Sequence, residues 1–301
     1  MAVAERRNCK DFVMVFVCDG WETMSHFPVD TEDLADLSFS PNNCNIAIWD
    51  SKLEYKVVIY SVDGRFLSAY SAYESALGIK SVEWSPSNQF LVVGSYDQQA
   101  RMLNNITWSP ICQLKHEQKI TDSNVAVYQE IEKKMVKLPW ETDISATRAN
   151  LFASQFVVQD IPYQVPGIRL DAEKANPKLG VGTMMFSCDS SYLATKNDNN
   201  PNVVWIWDVK KLRLDSVLVL SRGVKVISWD PCETRLATCS GTNKLYMWSP
   251  SGCLSTEVRV EEEFLVTGVT WHQGGGALLL TSKDMMCMCY LGSPGEEQVP
   301  S

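Results

Sequence analysis

The sequence predicts an all-β chain built from repeated four-stranded sheets, and three observations carry that reading. Apolar residues alternate over strand-length runs, as in "NPNVVWIWDVKKLRL" at 200–214. A motif of aromatic, polar residue and proline recurs at near-constant spacing. A second aromatic follows each first one at a nearly fixed distance. Alternation with period two is the signature of a strand with one face in the core. Recurrence every 40-odd residues is the signature of a repeat architecture.

The repeat is read from its anchors. "LADLSFSP" ends a strand at Phe39, "IKSVEWSP" at Trp84, "GTMMFSCD" at Phe186, "KVISWDP" at Trp229 and "TGVTWHQ" at Trp271. The steps between anchors are 45, 102, 43 and 42 residues. After each anchor come a polar turn and a short apolar strand, such as "FLVVGSYD" or "RLATCSG". An alternating third strand with an aromatic near its end follows. Those aromatics are Tyr60, Trp207, Trp248 and Tyr290, at 21, 21, 19 and 19 residues from their anchors, with Leu103 taking the place in the second unit. Fourth strands such as "LDSVLVL" close each unit. Four short strands per unit with turns between them are the blade of a β-propeller of WD40 type. A lone blade cannot bury both faces, so the aromatics Phe39, Trp84, Phe186, Trp207, Trp229, Trp248 and Trp271 are assigned to the space between blades. Asp208, after Trp207, is assigned to a strand-end turn. No Gly-His pair precedes a first strand, so the His-Ser-Asp-Trp network common in such blades is expected to be mostly absent.

The ends and the long step set the domain plan. Residues 1–29 supply a partial blade without its first strand, and 30–116 two WD blades. Residues 117–178 are a long insert, partly disordered, whose alternating segments "SNVAVYQEI" and "SQFVVQDIPYQV" can pair as a projecting hairpin. Two more WD blades span 179–260, a partial blade 261–291, and a disordered tail 292–301. The propeller is therefore predicted to be incomplete, four full blades plus two partial ones, and its ring to be open or poorly closed.

Composition narrows the function. With 45% hydrophobic and 21% charged residues among 301, the chain has ample material for a core. A net charge of −9 disfavours a nucleic-acid binder, which needs a basic face to track phosphates. No apolar run reaches the length of a membrane span. The start "MAVAERRNCKD" is too polar for a signal peptide, so the ten cysteines are expected in a reducing cytosol. Cys287 and Cys289 share a strand face, but His272 offers them no second pair of ligands, so buried thiols are expected and no metal site.

No catalytic or cofactor-binding residue emerges. "GGGA" at 274–277 lacks the Lys-Ser/Thr of a phosphate loop, and no Gly-x-Ser-x-Gly elbow occurs. His26, His116 and His272 lie far apart in sequence. Two sets of candidate partner contacts remain. Met135 and Trp140 lie in the charged centre of the insert, where exposed apolar side chains suit a contact site. Asp97 and Asp198 belong, with Asp50 and Asp284, to turns between second and third strands. Such a rim suits a cation or a basic peptide, although Asp is common in turns for local reasons.

Four long stretches carry a resemblance. "AERRNCKDFV", "IAIWDSKLEYKVVIYSVDGRFLSAYSAYE", "LGIKSVEWSPSNQFLVVGSYD" and "KNDNNPNVVWIWDVKKLRL" resemble the centrosomal WD-repeat family named for lying antisense to the tumour protein 73 gene. The similarity covers nearly the whole chain, which resembles the family's C-terminal two-thirds. "YDQQAR" and "FSCDS" depart from the family pattern. The resemblance implies a non-catalytic scaffold at the centrosome and pericentriolar satellites, in the cytoplasm. There it implies work with a coiled-coil SSX-interacting, microtubule-anchoring protein in minus-end anchoring, spindle organisation and cilium assembly. The alternative is a generic WD-repeat adaptor, such as a substrate receptor of a ubiquitin ligase.

Overall fold

The structure, a computed structural model, describes residues 1–134, 152–168, 178–258, 260 and 264–292. Met135 and Trp140 lie outside the described residues, as does all but Gly292 of the tail. Among the described residues there is no helix, hence none long and apolar enough to cross a membrane. The chain divides into two compact units: residues 1–116, 168–186 and 195–199, and residues 117–167, 187–194 and 200–301.

The first unit holds three antiparallel sheets in chain order. One is β1 (Ala2–Arg7), β2 (Lys10–Phe16) and β3 (Thr23–Val29). The next is β4 (Leu34–Phe39), β5 (Asn45–Asp50), β6 (Val57–Ser61) and β7 (Phe66–Tyr70). The third is β8 (Ile79–Trp84), β9 (Phe90–Ser95), β10 (Gln99–Asn104) and β11 (Pro110–Lys115). Four strands of the insert follow in the second unit: β12 (Lys119–Ile120), β13 (Ala126–Lys134), β14 (Phe152–Val158) and β15 (Tyr163–Gln164). Strand β16 (Val181–Phe186) belongs to the first unit, and β17 (Tyr192–Asn197) is divided between the two. The rest of the second unit begins with β18 (Val203–Asp208) and β19 (Arg213–Val219). Next comes the sheet β20 (Val226–Trp229), β21 (Leu236–Cys239), β22 (Lys244–Ser249), β23 (Gly252–Glu257). Last is the three-stranded sheet β24 (Gly268–Trp271), β25 (Ala277–Thr281), β26 (Met286–Tyr290). The all-β, WD-type architecture read from the sequence is the architecture observed.

The periodic motif is a turn with a repeated hydrogen-bond scheme. One residue past each anchor, the N–H donates to the carbonyl five residues on: Ser40 to Asn45, Ser85 to Phe90, Ser187 to Tyr192, Asp230 to Arg235 and His272 to Ala277, all at 2.8–2.9 Å. Inside four of these turns the chain visits the left-handed region, at Asn43, Asn88, Ser190 and Gly275 (φ 55–66°). Asn and Gly tolerate that region best, which explains why polar or small residues stand there. In three turns the serine hydroxyl also takes the N–H of the following strand: Asn45 to Ser40, Phe90 to Ser85 and Tyr192 to Ser187, at 2.9–3.0 Å. In the turn after Trp229, Asp230 instead accepts the turn amides of Cys232 and Glu233 and the Arg235 guanidinium.

Apolar faces pack sheet against sheet. Val13, Val15, Phe27 and Val29 of the first sheet meet Ile46, Ile48, Val58 and Tyr60 of the second. The second sheet's other face, with Ala47, Val57 and Ile59, meets Trp84, Leu91, Val93 and Leu103 of the third. In the second unit Ala237, Leu245 and Met247 meet Val269, Trp271, Leu278 and Leu280. The anchor tryptophans also bind across these contacts through their indole N–H groups. Trp84 Nε1 donates to the Ser38 carbonyl at 3.3 Å, and Trp271 Nε1 to the Ser228 carbonyl at 2.9 Å. In both cases the acceptor directly precedes the anchor of the neighbouring sheet, so one geometry recurs. Where β16 meets β9, Gly180 (φ 91°) leaves no room for a side chain: a Cβ there would stand 2.6 Å from the Ser95 carbonyl oxygen.

Of the seven repeat aromatics, Trp84, Phe186, Trp207, Trp229, Trp248 and Trp271 are buried, and Phe39 is half-buried. Trp205, Tyr246 and Trp108 are buried too, although no repeat position pointed to them. Trp205 stacks on Trp207, with ring centroids 6.3 Å apart.

The insert differs from the expected projecting hairpin. β13 and β14 do pair antiparallel, Tyr128 opposite Val158 through Lys134 opposite Phe152. Yet the pair lies along a sheet rather than standing off it: β13 runs parallel to β19, with Ala126 beside Ser216 and Gln129 beside Val219. The resulting order within the unit is β14-β13-β19-β18. The physical reason is the edge of β19, whose unpaired backbone groups are satisfied by whichever strand adds to them. The second expected segment also breaks into two, β14 and the short β15, which pairs with β12 at the base of the insert.

This packing sets a stability contrast. Trp248 is 2% exposed and meets Tyr192 and Trp229 edge-on at 5.1 and 5.9 Å. Met286, at 74% exposure, lies on the open face of β26. Trp248→Ala should cost about 3–5 kcal/mol in urea unfolding, whereas Met286→Ser should stay within about 0.5 kcal/mol. Equal costs for the two would show that the aromatic is not core.

Candidate functional site

The rim acids fall where the sequence placed them, at turns after second strands, and Asp50, Asp97 and Asp198 each meet a polar partner. Asp97 pairs with Arg101 at 2.6 Å and accepts the Ser95 hydroxyl. Arg101 is itself held over the rings of Tyr55 and Tyr73, at 5.3 and 5.6 Å. Asp198 takes Lys80 at 2.6 Å, and the same ammonium donates to the Leu179 carbonyl at 2.7 Å. Asp50 is fully buried and accepts the amides of Glu32 and Asp33 at 2.9 and 2.8 Å. Burial pushes its carboxyl above the usual range against those two donors. Asp284, in the second unit, is exposed. Among the described residues no three His, Cys, Asp or Glu side chains stand close enough to hold a metal ion. Cys287 and Cys289 share the packed face of β26, and burial raises both thiols. Asp208 holds the turn after β18, accepting the Lys211 amide at 2.9 Å.

His116 has close polar partners. Its ring is buried between the Gln98 carbonyl, 3.0 Å from Nδ1, and the Thr195 hydroxyl, 2.7 Å from Nε2. A carbonyl only accepts, so Nδ1 carries the proton and Nε2 accepts from the threonine. This is a histidine–hydroxyl pair of the kind predicted to be mostly missing. Its partners stand 79 residues apart because the insert separates them, which hid the pair from any fixed spacing. The remaining signal was the histidine in "QLKHEQ", directly after the last strand before the insert. Gln98 also gathers amides, accepting from Asn199 at 2.7 Å and Asn197 at 3.3 Å.

The most elaborate polar centre of the second unit was not anticipated. Glu130, on β13, has a fully buried side chain. Its Oε2 accepts the Ser221 amide at 2.8 Å, and its Oε1 accepts Lys244 Nζ at 3.2 Å. The Tyr246 hydroxyl lies 3.1 and 3.2 Å from the two oxygens, and Ser240 continues the chain of contacts at 3.3 Å from that hydroxyl. Burial alone would raise the carboxyl, but the Ser221 donors and the Lys244 ammonium outweigh it and hold it below its ordinary value. Phe156 of β14 packs edge-on against the Tyr246 ring at 5.9 Å. The insert therefore contributes both a strand and a buried charge to the blade.

Comparison with known proteins agrees with this architecture. Residues 64–104, from the turn after β6 to the end of β10, match the family model described as "WD domain, G-beta repeat". The match identifies one WD repeat in a chain whose all-β fold is of WD40 type. The chain is 46% identical over 296 residues to the mouse "WD repeat-containing protein WRAP73", an alignment that covers 97% of this chain and 64% of that protein. An uncharacterized WD repeat-containing protein of Schizosaccharomyces pombe is 28% identical over 100 residues, covering 29% of this chain and 21% of that one. The chain thus spans somewhat under two-thirds of the mouse relative's length.

A buried histidine and a half-buried glutamate oppose each other in pH. Burial holds the His116 imidazole down from 6.5 to about 4, and pushes the Glu83 carboxyl up from 4.5 to about 7. The histidine's contribution to stability is complete above 6.5 and is lost as pH falls toward 4. The glutamate's is complete below 4.5 and is lost as pH rises through 7. Between pH 4.5 and 6.5 the two slopes have opposite sign. Glu83→Gln should leave stability rising with pH in that window, by up to about 1.4 kcal/mol per unit from the imidazole. His116→Gln should leave it falling. Urea midpoints taken across pH 4.5–7 check both, and slopes of the same sign in the two variants would refute the assignment.

Proposed function

We propose that this WD-repeat chain is a non-catalytic scaffold of the centrosome and pericentriolar satellites. In this reading it acts with a coiled-coil SSX-interacting protein in microtubule minus-end anchoring, spindle organisation and cilium assembly. The observation that carries the proposal is the 46% identity to mouse WRAP73 sustained over 97% of the chain. The alignment is not confined to one sheet but runs over nearly the whole chain. The long stretches that resemble the centrosomal family, "IAIWDSKLEYKVVIYSVDGRFLSAYSAYE" among them, include exposed turn residues as well as strands. The binding role is also favoured by the acids. Asp50, Asp97 and Asp198 are each committed to structural partners, as scaffold carboxylates are, rather than facing one another as a catalytic pair must.

The test is affinity purification of the tagged chain from dividing cells, alongside imaging of the same tag. Recovery of the coiled-coil anchoring protein, with signal concentrated at centrosomes, is the expected result. Recovery of ubiquitin-ligase subunits instead, with no centrosomal concentration, would make the chain a ligase adaptor and overturn the proposal.

A further inference from the structure

The outer edge of β19 is a place where a strand is added, and what adds there is a segment of the insert. Four residues of β13, Ala126 to Gln129, run parallel to Ser216–Val219. One residue later Glu130 enters a buried pocket made by the Ser221 amide, Lys244 and Tyr246. Val127 is fully buried at the same junction. The recognition elements are thus a short main-chain ladder, a site for a branched apolar side chain, and a carboxylate pocket with three donors. Along the same hairpin Ile131 is exposed at 36%, and Val158, opposite Tyr128, at 61%. Main-chain pairing supplies affinity and side-chain pockets supply selectivity when a strand adds to a sheet edge. Nothing in such a ladder requires the added strand to come from the same chain.

We propose that the β19 edge with its Ser221–Lys244–Tyr246 pocket is an acceptor site for an extended Val-x-x-Glu segment of a partner protein, and that β13 occupies it in cis as a displaceable plug. The site discriminates by charge. A glutamate brings a carboxylate to Lys244 and to two further donors. A glutamine in its place leaves the buried ammonium without a counter-charge, a loss that low-dielectric surroundings magnify. The inference stands apart from the centrosomal reading, because it concerns the chemistry of the blade edge whichever partner carries the segment.

The probe is a labelled peptide with the sequence of Asn124–Ile131, followed by fluorescence anisotropy. The receptor is the full chain carrying Val127→Asp and Glu130→Gln, which weaken the plug and leave the acceptor untouched. This variant should bind the peptide at least tenfold more tightly than the wild-type chain, where the plug competes. Adding Lys244→Met, or replacing the peptide's glutamate with glutamine, should each reduce the affinity at least tenfold. A variant with the native β signature in circular dichroism that fails to bind the peptide would overturn the proposal. So would binding that is indifferent to Lys244. If the double variant does not fold, Glu130→Gln alone decides by hydrogen exchange. The Ser221 amide should then exchange at least tenfold faster while the amides of β21 keep their rates. Exchange at Ser221 that still tracks β21 would mean the strand never leaves on its own, and the plug reading falls.

Discussion

Every sheet in this chain has two faces, and a single sheet can bury neither by itself. That constraint organises the rest. The answer at each junction is an anchor tryptophan or phenylalanine at the end of a first strand, set by a turn whose hydrogen bonds repeat from unit to unit. Where the anchor is Trp84 or Trp271, the indole nitrogen reaches the carbonyl just before the preceding anchor. A buried indole N–H without an acceptor costs roughly 1–3 kcal/mol. The same bond therefore spares a penalty and sets the spacing of neighbouring sheets. The apolar clusters between sheets then follow from alternation, with one residue of each strand pair pointing to either neighbour.

Much of this was legible because its signals are local. The turn after each anchor spans six residues, the serine of three turns and the left-handed residue of four fall at constant offsets, and the anchors repeat at 42–45 residues outside the insert. What escaped the sequence was contact between residues far apart along the chain. His116 and Thr195 are separated by 79 residues, and Glu130 and Lys244 by 114. No pattern of spacing encodes such a pair when an insert of arbitrary length lies inside it. The parallel direction of β13 on β19 was equally hidden. An alternating segment announces a strand, but its partner and direction depend on which edge is open nearby. Trp205 and Tyr246 carry no repeat signal of their own: they stand two residues before the repeat aromatics Trp207 and Trp248, on the same strand face, and no matching aromatic recurs at that place in the other units.

The rim acids share a position in the repeat and differ in what they hold. Asp50, Asp97 and Asp198 occupy comparable turns, yet one caps backbone amides, one holds an arginine that lies over two tyrosine rings, and one holds a lysine. A short polar side chain at a strand end meets whatever donor the neighbouring loop supplies. The three solutions differ because residues 32–33, 101 and 80 differ. Of the three, only Asp97 and Asp198 meet a cation directly.

The insert poses the remaining energetic question, since a long excursion between β11 and β16 replaces the short link found between β19 and β20. The segment is roughly tenfold longer, and closing a flexible loop of that relative length costs only roughly 2 kcal/mol more, because the entropy grows with the logarithm of length. Against that stands the hairpin's contribution. Four residues complete a ladder on β19, Val127 and Val125 are buried, and one carboxylate is met by an amide, an ammonium and a phenol. A hydrogen bond to a charged group contributes about 1.5–3 kcal/mol, so two of these contacts offset the closure term before any apolar burial is counted. The balance explains why a blade edge accepts the insert without losing its own geometry. It also gives the interaction its particular character. The gain is concentrated in one short strand and one buried charge rather than spread along the whole insert, so the hairpin's hold on the blade rests on few residues.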